Sequence, residues 1–170
     1  DVIESSGDSG PAEIIKTHHN VGGLPDNLSF KLLEPLRDIY KDEVRELSRI
    51  LGLPEDIVVR HPFPGPGLGV RIIGCVTSEK LRICRESSWI VEEELKKRHF
   101  YNKVWQAFAI VGDDRATGVF GDKRNYGYIV TIRVIDSVDA MTADWSRLPF
   151  PVLESISNRI TNEVRGVSWV

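Results

Sequence analysis

A proline- and glycine-rich segment in the first half of the chain divides it into two parts. Residues 62–67 read Pro-Phe-Pro-Gly-Pro-Gly. The three prolines remove backbone donors and fix the backbone torsion φ, so the segment cannot form a helix or a central strand. It is also unsuited to cradle a phosphate, because such a loop needs several backbone N–H groups. Its stiffness fits two roles equally well: a connector between two domains, or a wall of a binding cleft.

The two sides of this segment differ in their hydrophobic pattern. Before it, residues 42–51 form the clearest helical pattern, which Gly52 and Pro54 end. After it, strand patterns cover residues 70–73, 104–111, 126–138 and 167–170. Helical patterns cover residues 78–98, with Ser78 as the N-cap, and the residues after Pro151. Gaps of hairpin length between the middle strands predict an α+β fold, with a largely antiparallel sheet and helices packed on one face. The expected helical stripes are Val44, Leu47, Ile50 and Leu51; Leu81, Cys84, Ser88, Val91 and Leu95; and Leu153, Ile156, Ile160 and Val164.

Composition and charge argue against several classes of protein. Of the 170 residues, 41% are apolar and 28% charged, which fits a folded domain rather than a disordered chain. No apolar run approaches the roughly 20 residues of a membrane helix. The formal charge of -3 argues against a domain built to grip nucleic acid. Two cysteines are too few for a disulfide framework, so we expect a cytoplasmic protein with neither membrane nor nucleic acid as a partner.

The densest group of polar side chains lies in residues 16–23, Lys-Thr-His-His-Asn-Val-Gly-Gly. Lys16 can neutralise a phosphate, and the polar groups after it can donate hydrogen bonds to one. A solvated loop is the alternative. Asp1 and Glu4 precede this group; acids near a phosphate-binding loop often hold magnesium, although two acids at this spacing are more often surface charge. The adjacent histidines have no third ligand at a familiar spacing, so no metal site is assigned.

Three polar residues in the second half are candidates for ligand contacts. Gln106 lies within an otherwise apolar strand pattern, where an unpaired amide costs free energy. It is therefore either a structural amide with an internal partner or a ligand contact. Asp122 and Arg124 fall in the turn between two predicted strands. They either form a local ion pair or face a nucleotide, since arginine binds phosphate and stacks on bases.

Seven strings of residues are informative when taken together. They are Asp1–Ser5, Ile15–Pro25, Lys41–Arg45, Arg60–Leu68, Gly118–Tyr126, Met141–Trp145 and Asn162–Val164. In content, order and spacing they resemble the GMP synthetases over almost the whole chain, and the strings at 15–25 and 60–68 are highly specific. Together with the missing start methionine and the apolar end at Val170, the resemblance indicates a part of a longer protein.

The resemblance implies an enzyme with a glutamine amidotransferase domain, an ATP pyrophosphatase domain and a C-terminal dimerisation domain. Such an enzyme uses ATP and Mg2+ to adenylylate the C2 oxygen of XMP, and ammonia from glutamine then displaces AMP to give GMP. Residues 1–71 would be the end of the α/β ATP pyrophosphatase domain with its lid loop. Residues 72–170 would be most of the dimerisation domain. The implied partners are XMP, ATP, a second copy of the chain, and an amidotransferase domain or subunit.

The resemblance also assigns roles to single residues. The catalytic side chains would come from the lid that closes over ATP and XMP, and they are Asp1, Glu4, Lys16, His18 and His19. The other lid residues are Thr17 and Asn20, and the lid is expected to be mobile without nucleotide. The contacts to XMP would be Gln106, Asp122 and Arg124, converging on one surface of the fold.

Other functions compete with this interpretation. A helix-covered antiparallel sheet is also a platform for single-stranded RNA, although the pI near 5.8 argues against it. A purely structural dimerisation module is the second alternative. We expect a symmetric dimer, because the strand over 126–138 is apolar on both faces. We expect these 170 residues to be inactive alone, since the upstream pyrophosphate loop and the C-terminal tail of the family are missing. Residues 112–116 replace an apolar stretch of many relatives, so that strand end should differ.

Overall fold

The computed structural model describes residues 27, 29–63, 67–137 and 142–170. The chain divides into two compact units, Asp1–Arg60 and His61–Val170. This division falls ahead of the boundary expected between residues 71 and 72, since His61 and Pro62 make hydrogen bonds within the second unit. The assignment of residues 1–71 and 72–170 to two functional domains stays a prediction.

The described part of the first unit contains two short helices. α1 spans Lys41–Ile50 and α2 spans Glu55–Val58. The carboxylate of Glu43 accepts the backbone N–H of Tyr40 at 2.7 Å, which satisfies a donor at the start of α1. The predicted helix is confirmed, but its apolar stripe is not buried, because the side chain of Ile50 is 77% exposed.

The second unit is an α+β domain, as predicted. Its central strand is β2, with which β1 and β3 pair antiparallel and β4 pairs parallel. The sheet is therefore largely antiparallel, as expected. The elements are α3 (Ser78–Lys97), β1 (Gln106–Phe120), β2 (Lys123–Asp136), β3 (Asp144–Trp145), α4 (Phe150–Glu163) and β4 (Val167–Trp169), with single 3-10 turns at Gly69–Arg71 and Tyr101–Lys103. Within the described residues, no helix is both long and apolar enough to cross a membrane.

Side-chain alternation along β1 and β2 decides which face of the sheet the helices cover. Ala109 of β1 pairs with Ile132 of β2, and Val111 pairs with Val130, so these side chains lie on one face. They pack against α3 and α4 in one core. The helical residues of this core are Ile83, Cys84, Ile90, Val91, Leu95, Val152, Ile156 and Ile160. Leu153, expected in the core, is 36% exposed, and its neighbour Val152 is buried instead.

The edge of β1 that faces away from β2 is satisfied by groups outside the sheet. Oγ of Ser88 accepts the N–H of Ala109 at 3.2 Å, and Sγ of Cys84 donates to the carbonyl of Ala109 at 3.3 Å. The N–H of Ile73 donates to the carbonyl of Val111 at 2.9 Å. Burial raises the pKa of the Cys84 thiol, so Cys84 is a structural donor rather than a reactive thiolate.

Three local predictions were wrong. In place of the strand expected over residues 70–73, a 3-10 turn covers Gly69–Arg71, and Ile72 forms an isolated bridge with Val111. The N-cap of α3 is Thr77, whose Oγ1 accepts the N–H of Lys80 at 3.2 Å, and Ser78 is the first helical residue. β1 does not end at Val111 but continues to Phe120, because pairing with β2 resumes after an irregularity over residues 112–114.

Candidate functional site

The expected lid lies outside the described residues. Every residue that the resemblance placed in it falls within residues 1–26, and the roles of these residues stay predictions. They are Asp1, Glu4, Lys16, Thr17, His18, His19 and Asn20. Among the described residues, no group of three or more His, Cys, Asp or Glu side chains could hold a metal ion.

Gln106 is the first residue of β1, and its side chain has an internal partner. Nε2 of Gln106 donates a hydrogen bond to the carbonyl oxygen of Pro62 at 2.5 Å. The alternative of a satisfied structural amide is therefore confirmed. Within the described residues, the carboxamide oxygen Oε1 accepts no hydrogen bond. Gln106 can thus hold the chain at Pro62 with one end and accept a ligand donor with the other.

Residues 61–63 are attached to β1 by three successive groups: the His61 side chain, the Pro62 carbonyl and the Phe63 ring. His61 is buried; its Nδ1 accepts the N–H of Ala107 at 3.3 Å, and its Nε2 donates to the carbonyl of Tyr101 at 2.9 Å. Because a backbone N–H occupies Nδ1, the proton of this imidazole sits on Nε2. The His61 ring also stacks on Tyr101 with centroids 4.0 Å apart. No role of its own was predicted for His61, whose only signal in the sequence is its place in the specific string at 60–68.

Phe63 and Arg71 extend this attachment. The ring of Phe63 meets Phe108 of β1 edge-on at 5.8 Å. The Arg71 guanidinium lies 4.1 Å from the centroid of Phe63 and 5.1 Å from that of Phe108. Nη1 of Arg71 donates to Oγ of Ser88 on α3 at 3.3 Å. The start of the proline-rich segment is therefore attached to the second unit, and its role as a connector or as the wall of a cleft stays a prediction.

Asp122 and Arg124 lie at the tip of the β1–β2 hairpin. Gly121 and Asp122 form the turn, and Gly121 adopts φ of 58°, a left-handed conformation that suits glycine. Asp122 and Arg124 are both exposed, and the described residues show no ion pair between them. The expected local ion pair is therefore wrong. Both charged groups are open to solvent and available to a ligand.

The three expected XMP contacts do not converge within one chain. Gln106 pairs with Ile135, whereas Arg124 pairs with Val119 near the other end of β2. Ile135 lies eleven positions after Arg124 along β2, which is roughly 35 Å at about 3.3 Å per residue. A mononucleotide cannot span that distance. The expected convergence is wrong for a single chain. Gln106, Asp122 and Arg124 lie on or beside two neighbouring strands, but the long hairpin places Gln106 at one end and the other two residues at the opposite end.

The face of the sheet opposite the helices carries mainly apolar side chains together with Thr131 and Arg133, and the described helices do not cover it. Its residues alternate with those of the core: Phe108 pairs with Arg133, and Ile110 with Thr131. Trp145 of β3 pairs with Ile135 and is 64% exposed. We call this surface the outer face; it consists of Phe108, Ile110, Ile129, Thr131, Arg133, Ile135 and Trp145.

Two buried charged residues on α3 were missed by the sequence analysis. Lys80 is 1% exposed and donates to the carbonyls of Ile73 and Cys75 at 3.2 and 3.0 Å, and it forms an ion pair with Asp113. Asp113 belongs to the stretch expected to differ from relatives, and it lies in the irregular part of β1. The other residue, Glu94, joins α3 to α4. No sequence signal identified these residues, since a helical stripe is read from apolar positions only.

Comparison with known proteins finds relatives of the second unit. Residues 93–170 match the family model described as GMP synthase C terminal domain. The match starts within α3 and includes all four strands, α4, Gln106 and the hairpin tip.

Sequence similarity to GMP synthases extends beyond this domain. The chain is 61% identical over all 170 residues to "GMP synthase [glutamine-hydrolyzing]" of Pyrobaculum aerophilum, and covers 34% of that protein. It is 62% identical over 156 residues, 92% of the chain, to the protein of the same name from Synechocystis sp., of which it covers 29%. It is 58% identical over 170 residues, all of the chain, to that of Oleidesulfovibrio alaskensis, of which it covers 33%. The chain thus spans about a third of the length of these curated relatives.

Proposed function

We propose that the protein containing this chain is a glutamine-hydrolysing GMP synthase, a cytoplasmic ligase of purine nucleotide synthesis. It would convert XMP to GMP with ATP and with ammonia released from glutamine by an amidotransferase domain or subunit. The observation that carries the proposal is the 61% identity to the Pyrobaculum aerophilum GMP synthase across the whole chain. Such identity extends well past the C-terminal domain into the first unit.

Lid residues at the start of the chain would serve the adenylylation step. Attack of the C2 oxygen of XMP on ATP builds negative charge on phosphate, which the ammonium group of Lys16 would stabilise. Asp1 and Glu4 offer the carboxylate oxygens that Mg2+ prefers, and the ion would neutralise phosphate charge when bound with ATP. A lid that closes over the reactants would also keep water from the adenylyl intermediate.

Gln106 and the hairpin tip would bind XMP from two different chains. Within one chain, Gln106 of β1 pairs with Ile135, and Ile135 lies roughly 35 Å from Arg124 along β2, at about 3.3 Å per residue. If both contact one nucleotide, Arg124 and Asp122 must reach it from a partner chain. A two-fold dimer would then hold two equivalent sites, each with Gln106 of one chain and the hairpin tip of the other.

The outer face is the surface on which such a dimer would form. Isoleucine and aromatic side chains of this face pair across β1, β2 and β3 without a covering helix among the described residues. An antiparallel sheet with helices on one side leaves its other side for solvent or a partner. The exposed indole of Trp145 favours a partner, since a lasting interface hides large apolar groups. A second copy of the chain bound to the outer face would form the expected homodimer.

Steady-state kinetics of the full-length protein test this function. Incubation with XMP, ATP, Mg2+ and glutamine should release AMP in proportion to XMP consumed. Arg124→Ala should raise the half-saturating XMP concentration about 10- to 100-fold, as expected for a lost charge-assisted hydrogen bond. Lys123→Ala, at the neighbouring exposed position, is the matched control and should leave it unchanged. A wild-type protein that forms no AMP with XMP would refute the proposal.

Two expectations on binding and activity remain as predictions. The 170 residues alone should form no AMP, because they lack most of the length of the relatives. Nucleic acid should not be a partner, and a gel shift with single-stranded RNA at low salt should show no complex. An RNA complex with micromolar affinity would instead support the alternative that the sheet binds single-stranded RNA.

A further inference from the structure

Two extra residues of β1 interrupt its pairing with β2 part-way along the hairpin. Val111 pairs with Val130, and the next pair is Arg115 with Tyr128, so four steps along β1 match two steps along β2. Residues 112–114 therefore form a bulge. A bulge bends its strand and increases the local twist, so its conformation sets the direction of the hairpin beyond it.

Lys80 on α3 fixes this bulge at Asp113. The Lys80 side chain is 2% exposed, and its ammonium group has three donors. The carbonyls of Ile73 and Cys75 accept hydrogen bonds from it at 3.2 and 3.0 Å, and the Asp113 carboxylate forms an ion pair with it. A buried ammonium is costly without a charged partner, so Asp113 is bound to this place. Gly74 leaves room for it, because a Cβ there would clash with Oδ2 of Asp113.

Glu79, the neighbouring residue of α3, fixes the first residue pair beyond the bulge. Its carboxylate accepts a hydrogen bond from Oη of Tyr128 at 3.3 Å, and the same Oη accepts one from Nη2 of Arg115 at 2.7 Å. The Arg115 guanidinium also lies 4.1 Å from the centroid of the Tyr128 ring. The first turn of α3 thus holds both strands where the distal arm begins, and we define this arm as residues 115–128.

The distal arm has few other supports. β4 supports one side of it, where Nδ2 of Asn125 donates to the carbonyl of Val167 at 3.1 Å. Val119 and Tyr126, further along the arm, are 79% and 66% exposed. The bulge is therefore the main fixed point at the base of the arm, and a small change there is enlarged at the tip.

From this geometry we propose that Lys80 and Asp113 are positioning residues for the nucleotide site. By fixing the bulge they direct the distal arm, and with it Arg124, toward XMP bound to the partner chain. The inference rests on the proposed function. It adds two residues that act through the arm without touching substrate, and it assigns their effect to XMP rather than to ATP.

Steady-state kinetics of full-length variants test the proposal. Asp113→Ala should raise the half-saturating XMP concentration about three- to tenfold and leave that of ATP unchanged, because a binding group displaced by about 1 Å loses much of its effect. Asp114→Ala is the matched control: it removes the neighbouring exposed carboxylate of the same bulge and should change neither value. Lys80→Met keeps the length of the side chain without its charge and should act like Asp113→Ala.

Combination with Arg124→Ala separates positioning from a loss of stability. If the bulge acts through Arg124, adding Asp113→Ala to Arg124→Ala should raise the half-saturating XMP concentration by less than a further twofold. A purely structural role would reduce the amount of folded enzyme and leave this concentration unchanged. Amide exchange over residues 115–126 should also be faster in Asp113→Ala, while exchange at Ala109 in the core stays as in wild type.

The outcomes distinguish this inference from the proposed function. A folded Asp113→Ala variant with wild-type dependence on XMP refutes the positioning role, and so does an equal increase with and without Arg124→Ala. If Asp113→Ala does not fold, Lys80→Met decides by the same criteria, since it leaves no buried charge. If Arg124→Ala itself has wild-type dependence on XMP, the inference is refuted while GMP synthesis stands. A wild-type protein that forms no AMP with XMP refutes the proposed function itself.

Discussion

The guanidinium of Arg159 on α4 contacts the carboxylate of Glu94 on α3 at 3.0 Å, although Glu94 is 1% exposed. Ser155 and Arg98 donate to the same carboxylate at 2.8 and 3.2 Å. Burial alone would raise the pKa of Glu94, but these hydrogen bonds outweigh it and hold the pKa below its usual range. Hydrogen bonds from Arg159 to Glu163, and then to neighbouring carboxylates, raise the pKa of its guanidinium. Both charges therefore persist, and they join the two helices.

Glu94→Gln should destabilise the domain. The change leaves the Arg159 and Arg98 guanidinium groups facing a neutral amide, and we expect a loss of about 2–3 kcal/mol because both arginines are partly exposed. Glu163→Gln is the matched control: its carboxylate is 47% exposed, so the loss should stay below about 1 kcal/mol. Urea unfolding of both variants measures the two losses. Equal losses would contradict the importance of the buried carboxylate.

The effect of Glu94 should also depend on pH. Because its folded pKa is lowered, its contribution is fully present above the unfolded value of about 4.3 and is lost as the pH falls through the folded value. The stability difference between wild type and Glu94→Gln should therefore shrink from pH 7 toward pH 3. A difference that stays constant over this range would show that the charge of Glu94 contributes nothing.

His61→Phe should loosen the proline-rich segment. Phenylalanine keeps a ring to stack on Tyr101 but loses both hydrogen bonds of the imidazole, and we expect a loss of about 1–3 kcal/mol. His99→Asn is a suitable control, because His99 is exposed and has φ of 60°, which asparagine tolerates. Long-range 1H–15N correlation spectra should show the wild-type His61 proton on Nε2. A proton on Nδ1 at neutral pH would contradict the assigned hydrogen bonds.

Gly127→Ala should displace β4 from the central strand. A Cβ at this position would lie 2.5 Å from the carbonyl oxygen of Gly166 and 2.7 Å from Oγ of Ser168. We expect a loss of about 1–3 kcal/mol, with faster amide exchange at Tyr128, whose N–H bonds to Gly166. Gly118→Ala, with a nearest contact of 3.3 Å, should cost less. Unchanged exchange at Tyr128 in Gly127→Ala would show that β4 absorbs the methyl group without moving.

Ile110→Asp should dissociate the proposed dimer without unfolding the chain. Ile110 lies on the β1 side of the outer face, where a charge would be buried by a partner chain but solvated in a monomer. Phe150→Glu is the control, since Phe150 is 86% exposed at the start of α4. Sedimentation equilibrium of the full-length protein at micromolar concentration should show a dimer for the control and a monomer for Ile110→Asp. A dimer in both variants would exclude the outer face as the interface.

The sequence predicted the second unit well where its signals were local. α4 and the central strand β2 follow an unbroken periodicity, and turn residues mark their ends. The strand predicted over residues 70–73 did not form, although the segment is rich in β-branched residues. A strand also needs a paired neighbour, and Ile72 makes only an isolated bridge to Val111. The end of β1 failed because residues 112–114 interrupt the alternation, while pairing with β2 carries the strand past them.

The candidate site was less predictable than the fold. Gln106 was recognised as a polar residue in an apolar strand, but only the folded chain reveals Pro62 as its partner, 44 residues away in sequence. Lys80 and Glu94 lie on α3 at positions that a charge should avoid, and distant partners make their burial possible. The separation of Gln106 from Arg124 depends on the length and register of a hairpin, which residue types alone do not set.

A nucleotide site shared between two chains is tested most directly by mixing two variants of the full-length protein with weakened XMP binding, assayed at an XMP concentration at which only wild type is active. Gln106→Met and Arg124→Ala are unfolded together and refolded at equal amounts, so that about half of the dimers contain one chain of each kind. In a shared site, each mixed dimer has one intact site and one site with both changes. The mixture should therefore recover about a quarter of wild-type AMP formation. A mixture no more active than the average of the two separate variants would place Gln106 and Arg124 in different functions and contradict the shared site.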